Sequence, residues 1–110
     1  MNEIEEGFEA VAGEGDVGEG KLLGVEVAGR RVVLARLGGQ VYAIGSVCTH
    51  RGGDLAKGRL EGEMVRCPLH DSGFNIKTGE AIRPPAKRAE PVYDVRVEQG
   101  RIWVSQNPRS

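Results

Sequence analysis

The sequence predicts an all-β domain, built as stacked antiparallel sheets in a sandwich or a partly open barrel. Two features predict it. Seventeen glycines and five prolines punctuate many short apolar runs in 110 residues, and no stretch keeps a 3.6-residue apolar period for three helical turns. Val25-Glu26-Val27 alternates like a half-buried strand, and Arg31-Val32-Val33-Leu34-Ala35-Arg36 reads as a more buried one, with Ala28-Gly29-Arg30 as the turn between them. Leu37-Gly38-Gly39-Gln40 turns the chain into Val41-Tyr42-Ala43-Ile44, which completes a three-stranded meander. Glu63-Met64-Val65-Arg66 is a short strand, and Phe74-Asn75-Ile76 and Glu80-Ala81-Ile82 flank a turn at Lys77-Thr78-Gly79. Val92 to Val97 and Arg101 to Val104 form a last hairpin across Glu98-Gln99-Gly100. The segment from Ala12 to Gly20 reads as a surface connection, and Gln106 to Ser110 as a frayed tail.

Size and charge narrow the function. A chain of 11.8 kDa suits one domain with a single core. A net charge of −1 gives no global case for nucleic acid, and no apolar run approaches a membrane span. The acidic start lacks the layout of a signal peptide, so the expectation is a cytoplasmic protein. The even balance hides an asymmetry. Residues 1–26 hold eight acids against Lys21 alone, net −7, while the remainder holds eight acids and fourteen bases, net +6. That is either ordinary solvated surface or a basic rim, drawn from Arg51, Lys57, Arg59, Arg66, Arg83, Lys87 and Arg88, that orients a partner.

All the cysteine and histidine falls into two clips, Cys48-Thr49-His50 and Cys67-Pro68-Leu69-His70, sixteen residues apart. In a reducing compartment two cysteines point to metal ligation or free thiols before a disulfide. Two thiolates and two imidazoles form a full ligand set for iron with bridging sulfide. Zinc is the main rival, although zinc fingers bring paired Cys-x₂₋₄-Cys and His-x₃₋₅-His half-sites, which these mixed clips fit poorly. A reactive thiol with a histidine base would leave the second clip unexplained. The different-class alternative is therefore a structural zinc or interaction module.

The double clip resembles the cluster-binding signature of Rieske 2Fe–2S proteins, and the resemblance extends over most of the chain. Cys48-Thr49-His50-Arg51-Gly52-Gly53-Asp54-Leu55 is similar to the family's first cluster loop. Cys67-Pro68-Leu69-His70 with Ser72, Phe74 and Thr78-Gly79-Glu80 is similar to the second, and Pro84-Pro85-Ala86 to the proline loop that covers the cluster. The resemblance implies one Rieske-type cluster, with Cys48 and Cys67 on the buried iron and His50 and His70 on the outer one. It implies one Rieske-type domain over 1–110, antiparallel sheets with a small cluster-binding subdomain inserted at about 45–87. Arg51, Gly52, Leu55, Ser72, Phe74, Pro84 and Pro85 become neighbours of the centre. Arg51 stands either in an ion pair or near the outer iron, and Pro84-Pro85 is either a plain turn or a cover. Gly52 and Gly53 serve positive φ or close backbone approach.

Departures from the family pattern sharpen the reading. High-potential relatives carry an extra cysteine in each loop, joined as a disulfide; the matching positions here are Gly53 and Leu69. Phe74 stands where those relatives have a tyrosine hydroxyl, and Asp71 replaces a frequent glycine. The resemblance therefore implies a low-potential ferredoxin, a one-electron carrier and not an enzyme. Its implied partners are a flavin-dependent reductase and a terminal oxygenase, docked transiently, with no nucleic acid and no membrane. The alternative within the same chemistry is the small Rieske-like subunit of an assimilatory nitrite reductase.

Overall fold

The computed structural model describes residues 4–50, 52–69 and 71–109. Its strands are β1 (Ile4–Glu5), β2 (Phe8–Gly13), β3 (Leu22–Val27), β4 (Arg30–Leu37), β5 (Gln40–Gly45), β6 (Arg59–Glu61), β7 (Met64–Arg66), β8 (Gly73–Asn75), β9 (Ala81–Arg83), β10 (Val92–Tyr93), β11 (Val95–Glu98) and β12 (Arg101–Ser105). They make three four-stranded antiparallel sheets, ordered β1-β2-β12-β11, β10-β5-β4-β3 and β6-β7-β8-β9. The only helical pieces among the described residues are two short 3-10 turns, Glu14–Asp16 and Leu55–Lys57. The predicted all-β class, with an inserted small sheet, is what the chain adopts.

The hairpins follow from local chemistry. At Glu6-Gly7, Ala28-Gly29, Gly38-Gly39 and Gln99-Gly100 both central residues have positive φ, and the flanking residues pair directly across each turn. Two-residue turns of this kind match the right-handed twist of the strands they join, and a glycine at the second position tolerates the backbone.

The middle sheet is buried on both faces, and this corrects the expectation of a single core. On one face Val33, Ala35 and Ile44 pack with Leu55, Val65, Phe74, Ile76 and both cysteines. On the other, Val32, Leu34, Val41 and Ala43 pack with Val27, Tyr93, Ile102 and Val104. Alternation along β4 and β5 thus feeds two cores, one under the cluster loops and one under the sheet that holds both chain ends.

Three local expectations are revised. Residues 92–97 are not one strand: β10 pairs with β5 and β11 with β12, and the chain changes sheets at Asp94. The N–H of Asp94 donates to the Ser105 hydroxyl (3.0 Å), and its carboxylate takes Arg109 (2.7 Å). The tail is tied down through residue 109, with the Gln106 N–H donating to the Gly7 carbonyl and the Arg109 N–H to that of Val92. The connection after β2 lies on the surface but is pinned. The Arg36 guanidinium donates to the carbonyls of Val17 and Glu14, and Glu19 accepts the N–H groups of Gly38 and Gly39. These contacts drive the Glu19 carboxyl below its ordinary value, the Gly39 amide contributing most.

Leu34 is fully buried on the face away from the cysteines. Leu34→Ala is expected to lower stability by about 2–5 kcal/mol through lost burial and a cavity, read as a drop in the urea midpoint at unchanged m-value.

Candidate metal centre

Three loops converge at one end of the middle sheet. The first leaves β5, and its turn is closed by the Gly52 N–H donating to the Cys48 carbonyl (2.8 Å) and the Cys48 N–H to that of Gly53 (2.7 Å). Gly52 has φ +75°, and Gly53 serves close approach: a Cβ there would lie 2.7 Å from the Cys67 sulfur and 3.2 Å from the Leu69 side chain. Asp54 anchors the loop's return. Its carboxylate accepts the Ser46 hydroxyl (2.6 Å) and the Ala56 N–H (3.0 Å). Burial pushes its pKa up, but these two bonds, with Arg31 and Lys57, outweigh that and hold it below the ordinary value. Leu55 follows, fully buried beneath the cysteines.

The second loop leaves β7. The Cys67 N–H donates to the Ser72 carbonyl (2.7 Å), and Asp71 turns the chain with φ +60°. The Asp71 carboxylate lies 3.1 Å from Arg66, and its carbonyl accepts from the Arg83 guanidinium (3.1 Å). Two arginines, from the strands on either side of β8, therefore hold a non-glycine residue in the left-handed region. Arg66 also reaches Glu61 (3.2 Å).

The third loop, carrying Pro84 and Pro85, ties the other two together. The Ala86 N–H donates to the Ser72 hydroxyl oxygen (3.0 Å) on one side, and the Thr49 hydroxyl donates to the Arg88 carbonyl (2.7 Å) on the other. Pro84 is exposed and Pro85 half-buried. Phe74, from β8, is fully buried in the same core as the cysteines.

Cys48 and Cys67 are thereby brought together, both free and buried, with their thiols in hydrogen-bonding reach. Burial pushes the Cys67 thiol up, the Leu69 amide opposes this, and Cys48 adds to it. His50 is exposed at the outer end of the first loop. His70 and Arg51 lie outside the described residues.

These residues fit an iron–sulfur centre. Two adjacent sulfurs in an apolar core can both ionise only against a compensating cation, and one of them is packed so closely on Gly53 that a side chain there would displace it. Among the described residues no three or more His, Cys, Asp or Glu side chains form a site for a single ion. A binuclear centre instead takes its ligands in pairs, and the sulfur pair is one such pair.

One group at this site carries no mark in the sequence. Glu90 is only 4 % exposed, accepts the Thr49 N–H, and enters where Gly45 has no side chain, a Cβ there lying 2.7 Å from its Oε1. Its Oε2 has no partner among the described residues. Burial pushes this carboxyl up to about 8, against the smaller opposing effect of the Thr49 amide.

Fold and site together define a small all-β iron–sulfur protein. The chain belongs to the Rieske family: the Rieske [2Fe-2S] domain profile matches residues 8–99. It is 38 % identical over 97 residues to the ferredoxin component of the naphthalene 1,2-dioxygenase system of Pseudomonas putida, covering 88 % of this chain and 92 % of that one. The ferredoxin of carbazole 1,9a-dioxygenase from Nocardioides aromaticivorans IC177 superposes with TM-score 0.85 at 31 % identity, covering 89 % of this chain and 96 % of that chain. A chain in the complex of reduced oxygenase and oxidized ferredoxin of carbazole 1,9a-dioxygenase does so with TM-score 0.89 at 28 % identity, over 96 % and 99 %. Family membership decides for the 2Fe–2S cluster over zinc, and the full-length likeness to ferredoxin components makes the chain an electron carrier, not an enzyme.

Two outcomes follow from the geometry. Because the Glu90 carboxyl is raised from 4.5 to about 8, its neutral form is the one the fold accommodates. The stability it contributes is complete below pH 4.5 and is lost as pH rises through 8, by at most about 5 kcal/mol. Glu90→Gln is expected to flatten that decline, measured by denaturation at pH 5 and pH 9. Separately, Arg66→Gln leaves the Asp71 carboxylate without its cation beside Cys67 and is expected to lower the midpoint potential by on the order of tens of millivolts. Asp71→Asn in the same background is expected to restore it.

Proposed function

We propose that this chain is the ferredoxin of a Rieske oxygenase system, taking single electrons from a flavin-dependent reductase and passing them to a terminal oxygenase. In this reading Cys48 and Cys67 hold one iron and His50 and His70 the other. The bound cluster supplies a one-electron couple. The observation that carries the reading is the buried cysteine pair, set inward from an exposed histidine on the same loop.

The chain's own residues account for the rest. The core of Val33, Ile44, Leu55 and Phe74 keeps water from the sulfur side. The Ser72–Ala86 and Thr49–Arg88 bonds hold all three loops in one arrangement, so little need move when an electron enters or leaves. His50 gives a route out at the surface. Gly53 and Leu69 face each other where high-potential relatives place a disulfide, and the Phe74 ring offers no hydroxyl. Both features support a potential at the low end of the family range, roughly −150 to +300 mV. No helix among the described residues is long and apolar enough to cross a membrane, and we place the protein in the cytoplasm with its partners.

An EPR-monitored redox titration tests this. The expected result is a reduced-state Rieske signal with a midpoint near the low end of that range. His50→Cys, where a cluster still assembles, is expected to lower the midpoint by adding a negative charge; an unchanged or higher value would count against His50 as a ligand.

A further inference from the structure

The ferredoxin reading leaves the distribution of charge around the loops unexplained. A cavity of about 690 Å³ beside the first loop is lined by Arg30, Arg31 and Arg88, and one of about 300 Å³ beside the second by Lys57, Arg59 and Arg66. Each holds one carboxylate. Glu90 is buried and raised toward its neutral form, and Asp71 is paired with Arg66. Among the described residues Arg30, Lys57 and Arg88 form no ion pair, and Arg31 reaches Asp54 only at 3.8 Å.

Of the acids, Glu61 pairs with Arg59 and Arg66, and Glu26 and Asp54 face Arg31, while others lie at the far end of the middle sheet. Glu19 is held at the Gly38-Gly39 turn and Glu14 beside Arg36. From that turn the six residues of β5 run to the cluster loops, a span of about 17–20 Å. That exceeds the Debye length of about 8 Å at physiological salt, so a partner meeting the loops senses mainly their cations. Between the two cationic cavities the loops present exposed apolar side chains, Val47 (41 %) and Leu69 (50 %). An apolar centre with a charged rim is the usual anatomy of a specific protein interface.

We infer that this face docks on a carboxylate-rich surface of the terminal oxygenase, with Arg30, Lys57 and Arg88 steering and Val47 and Leu69 making the dry contact. The inference rests on the ferredoxin reading and adds to it the chemistry of the partner. Weak electron-transfer encounters bury little area, so sign of charge is what selects the approach.

The test is stopped-flow oxidation of the reduced holoprotein by three acceptors between 20 and 500 mM salt. They are ferricyanide, tris(phenanthroline)cobalt(III), and the terminal oxygenase of a naphthalene 1,2-dioxygenase system. The ferricyanide and oxygenase rates are expected to fall with salt, while the cobalt rate stays level or rises. Arg30→Glu and Arg88→Glu are expected to slow the oxygenase reaction about tenfold each at low salt, with the EPR signal unchanged. Lys21→Glu, at the acidic end, should stay within twofold. Arg30→Gln and Arg88→Gln should show the same direction at smaller size and cover any reversal that fails to fold. Ferricyanide rates that rise with salt overturn the inference. So does an oxygenase reaction indifferent to salt and to both arginines, which leaves the ferredoxin reading intact. An oxygenase that takes no electrons at any salt, from a protein ferricyanide oxidises as expected, overturns the ferredoxin reading and this inference with it.

Discussion

Burial of the β4–β5 pair on both faces is the constraint on which the rest of the molecule depends. A one-residue slip between these strands would send Val33, Ala35 and Ile44 into the wrong core and Val32, Leu34 and Ala43 into the other. The register is therefore held from both sides, and with it the point at which β5 releases the first loop. Both cysteines belong to one of the two cores, so the sulfur atoms are placed by the same packing that aligns the strands. A strained or mobile loop would not be needed to position them.

The cysteine and histidine clips were legible because nothing else in the sequence competes for the role. The hairpins at Ala28-Gly29, Gly38-Gly39 and Gln99-Gly100 were legible because their turn chemistry is local. β2 was not. Its one fully buried residue is Glu9, whose carboxylate accepts the Ala28 N–H (3.1 Å), so the hydropathy alternation that marks a strand is inverted there. The break at Asp94 was hidden because its cause is a pair of distant partners, Ser105 and Arg109. Glu90 was hidden for a similar reason: nothing in Ala89-Glu90-Pro91 says that the side chain turns inward beneath the Thr49 amide. Glycines in the cluster loops were legible as a class, but only the structure separates Gly52, which needs its φ, from Gly53, which needs its missing side chain.

The site's electrostatics reward attention to where each charge is held. Asp71 is more than half exposed, so its pair with Arg66 contributes at most about 1 kcal/mol to stability. Its larger effect is on shape: carboxylate and carbonyl are gripped by arginines of β7 and β9, which fixes the turn following His70. Glu90 is the reverse case, a carboxyl that contributes little charge while it stays neutral and instead fills space beneath the first loop.

The first and last strands share the sheet on the far side of β4–β5 from the cysteines. β1 pairs there with β2 and β2 with β12, and the Gln106 N–H closes onto the Gly7 carbonyl. Entry and exit of the polypeptide are thus neighbours, and both lie toward the loop end: Glu9, opposite Ile4, meets the Ala28 hairpin that borders the first loop, and the Arg109 N–H meets the Val92 carbonyl beside the end of β5. A partner fused at either end would therefore stand beside the cluster loops, and such a fusion needs a linker long enough to clear them.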